Sequence, residues 1–184
     1  MKQIQKSKSK AKAEHIAVID IGSNSIRLVM YDKLGRYPYP LFDERVTAKL
    51  GDGLDKTGKI DTSNSKMALE ALSRFAQILK SLDPNKIIVV ATAVLRRAKN
   101  AQGFLKSAEK ILNHKIDVIT PEEEALFMVN GLTNGMPDLT GLVVDLGGGS
   151  TEIAYVKKGE ILNSTSLAIG HLSTISSDKI SQKI

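Results

Sequence analysis

Val18-Ile19-Asp20-Ile21-Gly22-Ser23-Asn24-Ser25 and Val143-Val144-Asp145-Leu146-Gly147-Gly148-Gly149-Ser150-Thr151 are two versions of one phrase. Each is an apolar run ending in Asp-x-Gly, followed by small positions and a second apolar run. That order predicts a strand, a tight turn and another strand, with an aspartate at the tip. Glycine opens the backbone there, so that peptide N–H groups can reach a ligand, and the carboxylate can hold a metal-bound water. One Asp-x-Gly is an ordinary turn. Two in the same context predict a duplicated unit that grips a phosphate chain and its metal ion from both sides. Neither is a Walker loop, because no Gly-Lys-Ser/Thr follows and no helix begins there. Nor is the second a dinucleotide fingerprint, because its glycines lead into a strand.

Outward from the first turn, Ile26, Leu28 and Met30 alternate with Arg27, Val29 and Tyr31, the pattern of a half-buried strand. A third extended segment is expected around 41–50, and Gly51-Asp52-Gly53 with Gly58 marks a long loop. Asp61-Thr62-Ser63 starts a helix in which Ala68, Leu72, Phe75, Leu79 and Leu82 repeat at helical spacing, until Asp83-Pro84 stops it. Residues 86–91 read as a buried parallel strand, 102–112 as a helix and 115–119 as a further strand. Thr120-Pro121-Glu122-Glu123 combines a cap, a proline at the first helical position and a capping box, and Gly131 is the expected stop. The fold class is therefore α/β: a ribonuclease H-like lobe over 15–136, its mixed sheet flanked by helices.

A second meander begins at 137, with strands expected at 142–145, 152–156 and 161–167 and a hairpin turn at Lys157-Lys158-Gly159-Glu160. The sequence ends at Ile184 without helices to cover this second sheet. The expectation is a truncated second lobe over 137–184, with Ile153, Tyr155 and Ile161 on its uncovered face. Such a face calls for a homodimer contact or another partner.

Composition narrows the function classes. Apolar content of 42% and charged content of 25% are those of a globular chain. The net charge of +6 is concentrated in Lys2, Lys6, Lys8, Lys10 and Lys12, so residues 1–14 read as a basic disordered tail. The nearly neutral remainder is no broad nucleic-acid surface, and no specific nucleic-acid partner is expected. There is no cysteine, and the apolar run after the lysines is short and broken by Asp20. Neither a signal peptide nor a membrane span fits that run, and a cytoplasmic location is expected. His15, His114 and His171 show no metal-ligand spacing and read as isolated surface residues.

Three charged clusters remain. Glu122 and Glu123 complement the positive end of a helix dipole. Glu124, just deeper, is either a third such residue or a general base facing a cleft. Arg96 and Arg97 follow the 86–91 strand at its carboxyl end, where ligands collect in α/β sheets, and guanidinium suits phosphate oxygens. One is expected in the cleft and one in solvent. Arg27 reads as a solvated strand residue.

With these residues in place, the chain resembles the exopolyphosphatase and guanosine pentaphosphate phosphohydrolase (Ppx/GppA) family of the actin, Hsp70 and sugar-kinase superfamily. The resemblance runs from Ile16 to Gly170. It includes Ile19 to Ser25, Leu50-Gly51-Asp52-Gly53-Leu54, Ala91-Thr92-Ala93-Val94-Leu95-Arg96, Glu122-Glu123-Glu124-Ala125 and Val144 to Glu152. It implies an actin-like ATPase fold and a hydrolase of polyphosphate or guanosine pentaphosphate that uses Mg²⁺. It further implies Glu124 as catalytic base and Arg96 as cleft arginine. Asp20 and Asp145 match the metal-associated aspartates, and Ser23, Asn24, Gly147, Gly148, Ser150 and Glu152 the phosphate-contacting positions. Thr120-Pro121 stands where the family usually has Ser-Gly, which stiffens the turn carrying Glu124. Because the family continues well past Ile184, the competing expectation is a weak or inactive polyanion-binding remnant. A sugar or acetate kinase fits less well, since its adenosine site lies in the part this sequence lacks.

Overall fold

Alternation along β1 (Ile16–Ile21) turns Ala17, Ile19 and Ile21 into one core and leaves Val18 and Asp20 on the opposite face. The computed structural model describes residues 14–173; the rest of the lysine-rich tail and the sequence after Ser173 lie outside them. β2 (Ile26–Tyr31) returns antiparallel to β1, and β3 (Pro40–Val46) antiparallel to β2. The long loop expected after β3 contains one short helical turn, α1 (Leu54–Thr57), bounded by Gly53 and Gly58 with positive φ.

α2 (Thr62–Leu82) starts where Asp61 accepts hydrogen bonds from the backbone of Ser63 and Asn64. It buries Ala68, Leu72, Phe75 and Leu79, the stripe expected from the 3.6-residue period. β4 (Lys86–Ala91) then pairs parallel to β1. It is followed by α3 (Ala93–Arg97), a single turn that the sequence pattern does not reveal, and by α4 (Ala101–Leu112). β5 is reduced to Asp117–Val118, parallel to β4. The five strands stand in the order β3-β2-β1-β4-β5. α2 and α4 pack on the face carrying Ala17, Ile19, Ile21, Leu28 and Val89.

α5 (Pro121–Gly135) opens with the full capping box between Thr120 and Glu123. It does not stop at Gly131. A glycine inside a helix costs only about 1 kcal/mol relative to alanine, which one further turn of packing offsets. The helix ends where Met136, preceding Pro137, leaves helical geometry at φ −131° and ψ 78°. Although α5 follows the first lobe in the chain, it packs on the second sheet, where Val129 joins Val143, Ala154 and Val156 in a small separate core. The packing boundary thus precedes α5, while the boundary read from element order follows it.

The second sheet is the antiparallel meander β6 (Gly141–Leu146), β7 (Thr151–Lys157) and β8 (Glu160–Leu167). Lys158 and Gly159, both at positive φ, make the two-residue hairpin turn between β7 and β8. α5 covers one face. The other carries Leu142, Val144 and Leu146, which are 72%, 59% and 61% exposed, together with Tyr155. Ile161 is a correction: it packs into the covered core with Val129 and Val156, because its register opposite Val156 puts it on the inner face. Among the described residues the architecture is an α/β mixed sheet flanked by helices, followed by a second, three-stranded sheet with α5 on one face.

Candidate active site

The two turns share one geometry. Gly22 N–H donates to Ser25 O at 3.0 Å, and Gly147 N–H donates to Ser150 O at the same 3.0 Å. Each closes a strand pair whose partners match as well: Asp20 stands opposite Arg27, and Asp145 opposite Glu152. The third strands extend the match, with Arg45 beside Arg27 and Ser166 beside Glu152.

Each turn is also held from behind by the segment after its third strand. In the first lobe Gly51 N–H donates to Ser23 O and Lys49 N–H to Asn24 O, both at 2.8 Å. In the second, His171 N–H donates to Gly147 O at 3.1 Å and Leu172 N–H to Gly148 O at 3.0 Å. The Nδ1 of His171 also reaches Gly147 O at 3.0 Å, so this histidine is tied to the turn rather than isolated. Leu50-Gly51 and Ile169-Gly170 are the matching aliphatic-glycine pairs. Glycine is required at both: an added methyl on Gly51 would stand 2.9 Å from Ser23 Cβ, and one on Gly170 2.4 Å from the carbonyl of Gly148. The peptide N–H groups of Ser23, Asn24, Gly148, Gly149 and Ser150 have no acceptor among the described residues. Backbone N–H groups displayed in this way form an anion-binding nest.

The turns meet tip to tip. Gly149 closes on Ser23 and Gly148 on Asn24, so tightly that a methyl on Gly149 would come within 2.6 Å of Ser23 Oγ. Ser23 and Ser150 are buried here.

Glu124 sits beside this junction on the first turn of α5. Arg96 Nη1 donates to its Oε2 at 2.8 Å and to Ile119 O at 2.6 Å, and both side chains are largely shielded from solvent. Burial raises the Glu124 carboxyl above the ordinary carboxylate range. The Arg96 hydrogen bond opposes this, and the charges of Glu152 and Asp20 add to it. Glu122, by contrast, is exposed and held below the ordinary range, first by its own backbone N–H and then by Thr120. The two glutamates thus part company in chemistry: one serves the helix end and the other faces its neighbours in the site.

Asp20 is likewise raised, chiefly by the protein crowding around it although its tip keeps solvent access. Arg27 and Arg45 pull it down, and Asp145 pushes it up. Arg27 is held in a two-point pair with exposed Asp43, in keeping with a solvated strand residue. Glu152 is 2% exposed and accepts from Ser166 Oγ at 2.9 Å. A carboxylate has no donor to offer a phosphate, so Glu152 can act on one only through a cation or a water.

Arg97 is the solvent-accessible one of the two arginines, but it is held at both edges. Its Nη1 donates to Gly149 O at 3.1 Å and its Nη2 to Asp55 of α1. Asp55 is hidden from sequence reasoning because it sits in a loop with no periodicity. His171 and the Gly51/Gly170 pair do leave a signal, the aliphatic-glycine step after each third strand.

No group of three or more His, Cys, Asp or Glu side chains among the described residues is close enough to form a metal cage. The charge of Asp145 is felt at Asp20, so the two carboxylates face a common space; a Mg²⁺ ion that keeps most of its waters would need only one or two carboxylates of this kind.

A family model described as "Ppx/GppA phosphatase family" matches residues 28–178. The chain belongs to the Ppx/GppA phosphatase family. A guanosine-5'-triphosphate,3'-diphosphate pyrophosphatase of Pseudoalteromonas translucida is 36% identical over 84% of this chain and 31% of its own length. An exopolyphosphatase structure from Cytophaga hutchinsonii is 32% identical with a TM-score of 0.79, over 85% of this chain and 51% of that one. The Aquifex aeolicus PPX-GPPA enzyme is 30% identical with a TM-score of 0.74, over 85% and 52%. The chain thus spans about a third of the curated Ppx/GppA relatives and about half of the solved chains. No helix among the described residues is long and apolar enough to cross a membrane.

Proposed function

We propose that this chain carries the catalytic half-site of a phosphoanhydride hydrolase that releases terminal phosphate from polyphosphate or a guanosine pentaphosphate. The observation that carries the reading is Glu124: a shielded carboxylate with raised proton affinity, oriented by Arg96 and set beside two phosphate-binding turns. Membership of the Ppx/GppA family supports the reaction class. A water attacks the terminal phosphorus while Glu124 takes its proton; the bridging oxygen leaves on the shortened chain, and orthophosphate is released. The turn residues Ser23, Asn24, Gly148 and Ser150, with Arg96, hold the oxygens of the transferring group where its charge spreads, while Gly147, its N–H given to Ser150 O, shapes the turn. Mg²⁺ held through Asp20 and Asp145 supplies positive charge at the phosphoryl oxygens when bound. Glu152 orients water rather than phosphate.

The test is Glu124→Gln in the chain. Phosphate release from polyphosphate should fall by roughly 10²–10⁴-fold, the usual worth of a general base, while polyphosphate binding persists. Retained turnover would remove Glu124 from the mechanism.

A second reading has its own support. The outer face of the second sheet exposes Leu142, Val144 and Leu146 side by side, as a lobe awaiting a partner or a second copy would. On that reading the chain binds polyanions without turning them over. A phosphate-release assay with long-chain polyphosphate and Mg²⁺ separates the two.

A further inference from the structure

Arg97 makes the one hydrogen bond, among the described residues, that joins the first lobe ahead of α5 to the glycine turn of the second sheet. Its partner there is a main-chain carbonyl, that of Gly149. The other edge of the same guanidinium is held by Asp55, on the helical turn that follows the Gly51 buttress. Both side chains are about two-thirds shielded, at 31% and 32% exposure.

Peptide geometry gives this bond a consequence. In a trans peptide the carbonyl of one residue and the N–H of the next point in opposite directions, and the described chain has no cis bonds. His171 holds the carbonyl of Gly147, Leu172 that of Gly148 and Arg97 that of Gly149. The N–H groups of Gly148, Gly149 and Ser150 are therefore each turned away from a fixed carbonyl. Two of the three fixings come from the turn's own lobe. The third comes from across the junction.

We propose that Arg97, held by Asp55, is a positioning residue: it orients the Gly149–Ser150 peptide so that the Ser150 N–H faces bound phosphate, and it makes that orientation depend on the two lobes being closed. The inference deepens the phosphate-binding reading above and rests on it. The planar guanidinium holds a carboxylate and a carbonyl at fixed, separate edges, a geometry that the single point charge of a lysine ammonium does not reproduce.

The test uses the full chain, isotope-labelled for amide NMR and titrated with inorganic tripolyphosphate. In the wild type, the amides of both turns should shift. In Arg97→Gln the dissociation constant should rise about tenfold, the worth of one well-placed charged hydrogen bond, and the Ser150 amide should lose its response while Asn24 and Ser25 keep theirs. Asp55→Asn, a surface change that leaves packing intact, should act in the same direction but more weakly. The double variant should be no worse than Arg97→Gln alone. Affinity within twofold of wild type in Arg97→Gln, with an unaltered thermal midpoint, overturns the proposal; so does equal loss at both turns in Asp55→Asn. If the wild-type turns do not respond to tripolyphosphate at all, the phosphate-binding reading fails. The positioning role is then judged on the Ser150 amide of the free protein, which must move in Asp55→Asn for the role to stand.

Discussion

Arg96 and Glu124 meet at 2.8 Å through Nη1 and Oε2, and the same nitrogen also holds the carbonyl of Ile119, just ahead of the Thr120 cap. One arginine on α3, the single turn after β4, thus fixes both the carboxylate and the start of the helix that bears it. Its charge also works against burial, which is what raises Glu124's proton affinity.

Arg96→Ala removes a group that lowers the Glu124 pKa and leaves those that raise it. A general base works only when deprotonated, so the rate falls as pH drops through its pKa. With Arg96 gone, that acid limb should move to higher pH. The loss of phosphate release should reach about tenfold or more at pH 6, from one charge-assisted hydrogen bond, and shrink towards pH 8. Rates of phosphate release between pH 5 and 9 in the two proteins check this. A loss independent of pH would mean that Arg96 acts on the phosphate alone and leaves Glu124 unaffected.

The two buttress glycines should differ in tolerance. A methyl on Gly170 meets the carbonyl carbon and oxygen of Gly148 at 2.4 Å, which is backbone and cannot rotate aside. A methyl on Gly51 meets Ser23 Cβ at 2.9 Å, and its nearest backbone atom, Ser23 O, stands at 3.3 Å. Gly170→Ala should therefore displace the second turn and cost about 1–3 kcal/mol, the range typical of overpacking in cores. Gly51→Ala should cost less. Chemical denaturation of the two variants gives the ranking, and equal midpoints would show that the second turn yields freely.

Much of this site is legible in the sequence, because its parts are local. Asp20 and Asp145 sit in contiguous phrases, and the Thr120 capping box announces itself within four residues. The first lobe's order of strands and helices follows from two simple periods. The features that sequence reasoning misses depend on distance along the chain. Arg97 pairs with Asp55 and Gly149 across the junction, and neither partner lies near it in the chain. Helix α5 packs on a sheet that it precedes, so element order assigns it to the other lobe. Ile161 is misplaced by simple alternation because the register shift between Tyr155 and Val156 changes which β8 residues face inward. Gly131 fails as a stop because helix ends are set by where the next segment must go, and here Pro137 decides that.

Asp20 gives a test of the metal reading that needs no turnover. Its carboxyl is raised first by burial, and Asp145 adds to the shift while Arg27 and Arg45 oppose it. An acid whose folded pKa lies above its unfolded value binds its proton more tightly when folded. Its contribution to stability is therefore greatest at low pH and falls as pH rises through the window between the two values. On the proposed reading, a cation held by Asp20 and Asp145 would take the place of that proton. Mg²⁺ should accordingly raise the thermal midpoint more at pH 7 than at pH 4.5, where protons already do the work. At a hundred times its dissociation constant the ion should add about 2.7 kcal/mol. Asp20→Asn keeps the shape but removes the charge that burial disfavours. The metal-free variant should be at least as stable as wild type at pH 7, and should lose both the Mg²⁺ increment and this part of the pH dependence. Thermal melts at the two pH values, with and without Mg²⁺, measure all of these. A full Mg²⁺ increment in Asp20→Asn would place the ion elsewhere, and Asp20 would then serve the turn as a structural carboxylate.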